Sequence, residues 1–208
     1  MLNLNTQQKK KNIVFENINL EIEKKSKICI VGKTGSGKST FVDIVIGLLK
    51  PDKGEVLVDG ININDSIETW QKKISYVPQS TFLTDSTILE NIVFGVDPHN
   101  VDFKKLDKEI KIANLDFMIS KLPEKLQTKI GERGIMLSGG QVQRLGLARA
   151  FYKDFEVLIL DESTNALDSF TEKSIYSNIK NEFADKTILS ITHNRELSNN
   201  FDIVLEIN

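Results

Sequence analysis

Lys27-Ile28-Cys29-Ile30-Val31-Gly32-Lys33-Thr34-Gly35-Ser36-Gly37-Lys38-Ser39-Thr40-Phe41 is the stretch on which the fold turns. Ile28 to Val31 is a short unbroken apolar run, as expected of a strand covered on both faces. Gly32 to Thr40 then matches the pattern G-x-x-x-x-G-K-[ST] in full, through Thr34, Gly35, Ser36, Gly37, Lys38 and Ser39. From Gly37 onward, Phe41, Ile44, Val45, Leu48 and Leu49 fall at helical spacing. Val42 and Ile46 make that helix apolar nearly all round, so it is expected to be deeply buried and to end in a turn at Pro51-Asp52-Lys53-Gly54. Strand, glycine-rich loop and helix in this order form a phosphate-binding P-loop unit. The glycines let backbone N–H groups turn inward around phosphate oxygens. The helix start adds the positive end of its dipole, about half a unit charge. Lys38 is expected to reach the β- and γ-phosphates of a nucleoside triphosphate, and Ser39 to offer its hydroxyl to Mg²⁺. A chance match in a glycine-rich turn would lack the apolar strand before it and the apolar helix after it.

The rest of the chain alternates in the same way. Ile18 to Ile22 alternates apolar and polar residues, a half-buried strand. Val56-Leu57-Val58 followed by Asp59-Gly60 reads as a strand and tight turn, and Ile74 to Val77 as a strand stopped by Pro78. Asp102 to Leu122 is helical, marked by Leu106, Ile110, Ala113 and Leu115 and closed by Pro123. Ser138 to Tyr152 and Glu172 to Phe183 are further helices. Val157 to Leu160, Thr187 to Thr192 and Ile203 to Ile207 are further strands. Strands alternating with helices predict an α/β fold around a mostly parallel sheet. Ligands of such sheets sit beyond the carboxyl ends of the strands. At those ends this chain carries the glycine loop, Pro78-Gln79, Asp161-Glu162 and His193.

Buried carboxylates at a strand end are costly unless paired or bound to metal. Beside a P-loop, Asp161 is the natural partner of Mg²⁺ through water, and Glu162 is placed to polarise an attacking water as general base. Without the P-loop, a surface Asp-Glu pair would be the preferred reading. A lone histidine is by default structural. His193, at a strand end on the active edge, is nevertheless a candidate to contact the γ-phosphate and stabilise charge in the transition state. His99 lies in Asp97-Pro98-His99-Asn100 without such a context and is read as a loop residue. Leu137-Ser138-Gly139-Gly140-Gln141 opens a second helix that Ser138 can cap and whose glycines let an anion approach. The chain therefore has two phosphate-binding helix starts, and one nucleotide in one domain has no evident use for both. The second is expected to serve a nucleotide held by another copy.

Composition sets the outer limits. A chain of 208 residues fits one large domain, or one with an inserted subdomain. A net charge of −2 gives no electrostatic case for nucleic-acid binding. The single cysteine, Cys29, cannot form an internal disulfide, and its apolar strand makes it a buried small hydrophobe. No stretch approaches the ~20 apolar residues needed to span a bilayer, and the first residues lack the pattern of a leader. The chain alone is expected to be soluble, with any membrane role reached through a partner.

Together, Gly32 to Thr40, Gln79, Leu137 to Gln141, Leu160-Asp161-Glu162, Ala166-Leu167-Asp168 and His193 resemble the ABC ATPase family over nearly the whole chain. In that family these would be the Walker A loop, Q-loop, signature, Walker B, D-loop and H-loop. The resemblance implies a P-loop NTPase core, an N-terminal antiparallel β subdomain, and a helical signature subdomain inserted at about residues 80–150 of a single domain. It implies ATP and Mg²⁺ as cofactors, with Ser39, Gln79 and Asp161 serving the metal. It implies a head-to-tail homodimer or pseudo-dimer sandwiching two ATP molecules, with Asp168 acting across the interface. Gln79 would sense the metal and attacking water and link the site to membrane domains.

Thr87-Ile88-Leu89-Glu90-Asn91-Ile92-Val93-Phe94-Gly95 and Ile130-Gly131-Glu132-Arg133-Gly134 resemble the exporter branch, in which Glu132 would contact a transmembrane domain at the cytoplasmic face. Trp70 resembles a feature of lipid-linked-oligosaccharide flippases, though packing is the simpler reading. Two features depart from the family. Thr6 to Asn12, where relatives stack adenine on an aromatic, holds only polar residues, so weaker ATP binding is expected. The chain also stops at Asn208, where relatives continue. Two alternatives stand beside a membrane exporter: an ABC ATPase not coupled to transport, and a non-hydrolysing regulatory module. The exporter-like segments oppose the first, and intact Lys38, Asp161, Glu162 and His193 oppose the second.

Overall fold

The computed structural model describes residues 2–5, 14–15, 18–131 and 135–207. The expectations about Thr6 to Asn12 and about Glu132 lie outside the described residues. The chain divides into two compact units. The first comprises Met1–Ser75, Phe155–Asp161 and Asp185–Asn208, and the second Tyr76–Asp154 and Glu162–Ala184.

The first unit contains two sheets. The smaller is antiparallel, in the order β2 (Ile18–Leu20), β1 (Leu2–Asn5), β4 (Lys53–Val58), β5 (Ile61–Asn62). The larger runs β7 (Val157–Asp161), β8 (Thr187–Thr192), β3 (Lys27–Gly32), β9 (Ile203–Ile207), with β6 (Ile74–Val77) entering beside β7. The β7–β8, β8–β3 and β3–β9 pairs are parallel. Ile28, Cys29, Ile30, Leu158, Ile159 and Leu160 are buried, as continuous apolar strands in a covered parallel sheet must be. Burial pushes the Cys29 thiol up to about 11, so it packs as an inert hydrophobe. The helix α1 (Lys38–Val45) packs on β3 and β7.

Helix α1 is shorter than its apolar spacing predicts. Gly47 adopts φ 77°, and the Gly47 and Leu48 amides donate back to the Ile44 and Asp43 carbonyls, closing the helix end. Leu48 and Leu49 are consequently exposed, at 64% and 47%, while Phe41, Val42, Ile44, Val45 and Ile46 are buried. The expected turn at Pro51 to Gly54 is also shorter, because Lys53 and Gly54 already belong to β4, where Gly54 pairs with Leu4. The short helix α2 (Ile67–Lys72) carries Trp70, whose indole N–H donates to the Val45 carbonyl at 2.8 Å. That bond satisfies one of the carbonyls left open at the end of α1, so Trp70 has a packing role.

The second unit is helical. It contains α3 (Ile88–Ile92), α4 (Phe103–Ile112), α5 (Asp116–Ser120), α6 (Gly139–Tyr152) and α7 (Ser169–Glu182). The helix expected over Asp102 to Leu122 is broken in two. Asn114 takes the left-handed φ of 54°, which an asparagine tolerates better than most residues, and its carbonyl accepts from Arg144 Nη1 at 2.6 Å. Leu106, Ile110, Leu145, Phe151, Ile175 and Ile179 are buried, and the Phe151 and Phe183 rings lie 5.2 Å apart. Among the described residues, no helix is long and apolar enough to cross a membrane.

Candidate active site

Parallel register gathers the first group of candidates. Val31 pairs with Thr192, and Asp161 with Ile191, so β3, β7 and β8 end at nearly one level. The loop after Gly32, the carboxylate of Asp161 and the exposed His193 therefore share the carboxyl edge of the sheet. Asp161 is buried.

The loop is built around its glycines. A Cβ on Gly32 would overlap the Ile207 carbonyl and stand 2.7 Å from Ser36 Oγ. Gly37 adopts φ 95° and caps α1 without a side chain. The first-turn amides of α1 therefore have no side-chain acceptor at the cap, and such groups suit an anion. Ser36 Oγ is buried and has no hydrogen-bond partner among the described residues. The buried Lys38 ammonium donates to the Gly32 and Lys33 carbonyls at 2.8 and 2.9 Å, which fixes it at the base of the loop. Thr34, Gly35 and Ser39 are exposed and Thr40 is partly so. An orphaned hydroxyl, uncapped helical amides and a fixed ammonium thus gather at one loop, and such groups suit an anion.

The second unit places Gln79 and Glu162 together. Gln79 Nε2 donates to Glu162 Oε2 at 3.1 Å, and Asn165 Nδ2 donates to the same oxygen at 2.9 Å. Glu162 itself has the left-handed φ of 47°, uncommon for a residue with a side chain and typical of functional turns. Nothing in the motif spacing singled out Asn165. The available signal was an asparagine three residues after a strand-end carboxylate, where a turn can fold its amide back.

The signature residues occupy the start of α6. Ser138 caps it: its hydroxyl accepts from the Gln141 amide at 3.3 Å, and its own amide donates to Gln141 Oε1 at 2.8 Å. This reciprocal box orients the helix start. Gly140 lies against the following loop, since a Cβ there would be 3.0 Å from the Ala166 carbonyl. Buried Gln143 accepts the Ala166 amide at 2.8 Å. Ser138, Gly139, Gly140 and Asp168 line one open hollow, while Leu137 and Gln141 line a neighbouring one. Asp168 also caps α7, and hydrogen bonds from the Thr171 hydroxyl and amide hold its carboxyl below the usual range.

The model of the ABC transporter family matches residues 15–165. The chain is 37% identical over 183 residues to the heterocyst differentiation ATP-binding protein HepA of Nostoc sp., covering 88% of this chain and 30% of HepA. It is 38% identical over 183 residues to the ATP-dependent lipid A-core flippase of Cupriavidus metallidurans, covering 86% of this chain and 31% of the flippase. A bacterial Atm1-family ABC exporter solved with ATP bound superposes with a TM-score of 0.90 at 30% identity, over 99% of this chain and 36% of that one. The chain thus spans about a third of the length of each of these three relatives. The chain belongs to the ABC transporter family, as its ATP-binding and ATP-hydrolysing domain.

Proposed function

We propose that this domain hydrolyses ATP at the edge formed by Gly32–Thr40 and Asp161, and that the hydrolysis drives export or flipping of a substrate through a transmembrane domain at the cytoplasmic face of a membrane. The observation that carries the hydrolytic reading is the Glu162 carboxylate. It comes directly after the buried Asp161 in the chain and is held by two neutral amide donors, Gln79 and Asn165. Uncharged donors orient a carboxylate without cancelling its charge, so Glu162 can take a proton from water attacking the γ-phosphate. Lys38, the loop amides and Ser36 hold phosphate oxygens, and with His193 they stabilise charge that grows as the bond to the leaving group breaks. Export is supported by the functions that the flippase and exporter relatives are named for.

Ser39, Gln79 and Asp161 offer a hydroxyl, an amide carbonyl and a carboxylate, the hard oxygen donors that suit Mg²⁺. Among the described residues no cluster of three or more His, Cys, Asp or Glu could hold a metal alone. When bound, Mg²⁺ would supply positive charge across the phosphates. The signature, Leu137 to Gln141, would complete the phosphate site of a second copy, with Asp168 at the interface.

Glu162→Gln keeps the side chain's shape and removes its basicity. It is expected to leave ATP binding within about twofold and to lower the turnover number by at least ~100-fold. Parental turnover in this variant, measured by phosphate release at saturating ATP, would show that Glu162 is not the base.

A further inference from the structure

We propose that Asn165 is a positioning residue for hydrolysis, holding the Glu162 carboxylate through its side-chain amide. The proposal rests on the reading of Glu162 as the base. The chain turns back after β7: the Asn165 amide donates to the Glu162 carbonyl at 3.4 Å, and the Leu167 amide to the Thr164 carbonyl at 3.0 Å. The first of these turns carries Asn165 over the residue three positions before it. Asn165 Nδ2 then reaches Glu162 Oε2 at 2.9 Å, shorter than the 3.1 Å from Gln79 Nε2.

The turn is anchored on both sides of Asn165. The Thr164 hydroxyl, before it, donates to Glu172 Oε1 of α7 at 2.6 Å, and both residues are buried. The Ala166 amide, after it, donates to the buried Gln143 Oε1 of α6 at 2.8 Å. With neighbours fixed to two different helices, the Asn165 backbone has little freedom, and its short side chain transmits that rigidity to the carboxylate. Gln79, by contrast, reaches Glu162 through a longer side chain. Glu162 has the left-handed φ of 47°, and the two amide donors fix where its carboxylate lies. Asn165 is exposed, so its replacement removes no core packing.

Asparagine serves this role through its chemistry. Its amide donates to a carboxylate and carries no charge. Aspartate has the same shape but only accepts, so it would repel Glu162. Alanine removes the donor without repulsion, and glutamine keeps the donor on a longer stem. In the full-length protein, turnover numbers should therefore fall in the order Asn165, Gln, Ala, Asp. We expect about a 10-fold loss for Asn165→Ala and ~100-fold for Asn165→Asp, the range of a lost or reversed hydrogen bond to a charged group. The KM for ATP should stay within about twofold, because phosphate binding lies elsewhere. Steady-state ATP hydrolysis across the series reads both quantities. Parental turnover in Asn165→Ala, equal turnover in Asn165→Ala and Asn165→Asp, or a KM that rises in step with the loss would each overturn the positioning role. Glu162→Gln measured alongside separates the two readings. If that variant is inactive while Asn165→Ala is fully active, only the positioning role falls. If Glu162→Gln retains parental turnover, the base assignment falls and takes the positioning role with it.

Discussion

Glu109 lies on α4 with only 4% of its surface exposed, and its Oε2 has no hydrogen-bond partner among the described residues. Burial pushes its carboxyl from 4.5 up to about 7, against the opposing pull of Lys108 and Lys105, while Glu182 adds to the rise. The folded chain thus keeps this proton over a range where the unfolded chain has lost it. Stability from this group is full below about pH 4.5, declines as pH rises toward about 7, and is flat above that. A shift of this size corresponds to at most about 3 kcal/mol. Glu109→Gln should therefore stabilise the chain at pH 8 by about 1–3 kcal/mol and flatten the decline between pH 5 and 7, read by urea unfolding at several pH values. An unchanged slope would mean the carboxyl finds solvent or a partner. Single residues also explain the loop. Gly37 cannot carry a side chain, because a Cβ would stand 2.6 Å from Val14 Cγ1 and 2.8 Å from Phe15 Cζ, in a backbone at φ 95°. The motif pattern names that glycine, yet the atoms it must avoid come from residues more than twenty positions earlier.

Helix α3 shows how an element is held by polar contacts. Thr87 and Glu90 form a reciprocal cap at its start. Its buried Asn91 accepts from the Thr84 amide and from Arg149 Nη2, both at 2.9 Å, and donates to the Thr84 and Thr87 carbonyls at 3.0 Å. Arg149 of α6 also donates from Nε to the Asn91 carbonyl at 2.7 Å and from Nη1 to the Phe82 carbonyl at 2.8 Å. Burial lowers the Arg149 pKa, as expected where a guanidinium leaves water. Asn91→Ala would leave several buried groups without partners. It is expected to cost about 2–4 kcal/mol and to raise amide exchange over residues 82–87. Loss of under ~1 kcal/mol by thermal or urea unfolding would show that these groups find other partners. The sequence marked Glu90-Asn91-Ile92 only as a resemblance. The partners of Asn91 include an arginine 58 positions later, and no local periodicity encodes that pairing.

At the scale of the whole molecule, the described residues include two glycine-bearing helix starts, Gly37 before α1 and Ser138–Gly140 at α6, and one strand-end carboxylate pair, Asp161 and Glu162. The proposed sandwich of two copies would use both starts. Ser138→Arg should then leave ATP binding at Gly32–Thr40 within about twofold and reduce turnover at least ~100-fold, because a bulky cation fills the position reserved for another copy's nucleotide. Parental turnover in that variant, or full activity in a preparation shown by light scattering to be monomeric, would exclude the two-copy site. The linear chain by itself determined the glycine-rich loop before α1, the buried strands that precede the loop and Asp161, the capped start of α6 and the α/β class. These depend on local residue types and periodicities, which act within a few positions of one another. Tertiary structure alone decided where α1 stops, why the stretch from Asp102 to Leu122 breaks at Asn114, and that Trp70 closes a helix end. It also decided that Asn165 and Gln79 meet on one oxygen of Glu162. Those outcomes rest on hydrogen bonds and close contacts between residues distant in sequence or folded back by a turn, and such pairings become visible only once the chain has closed on itself.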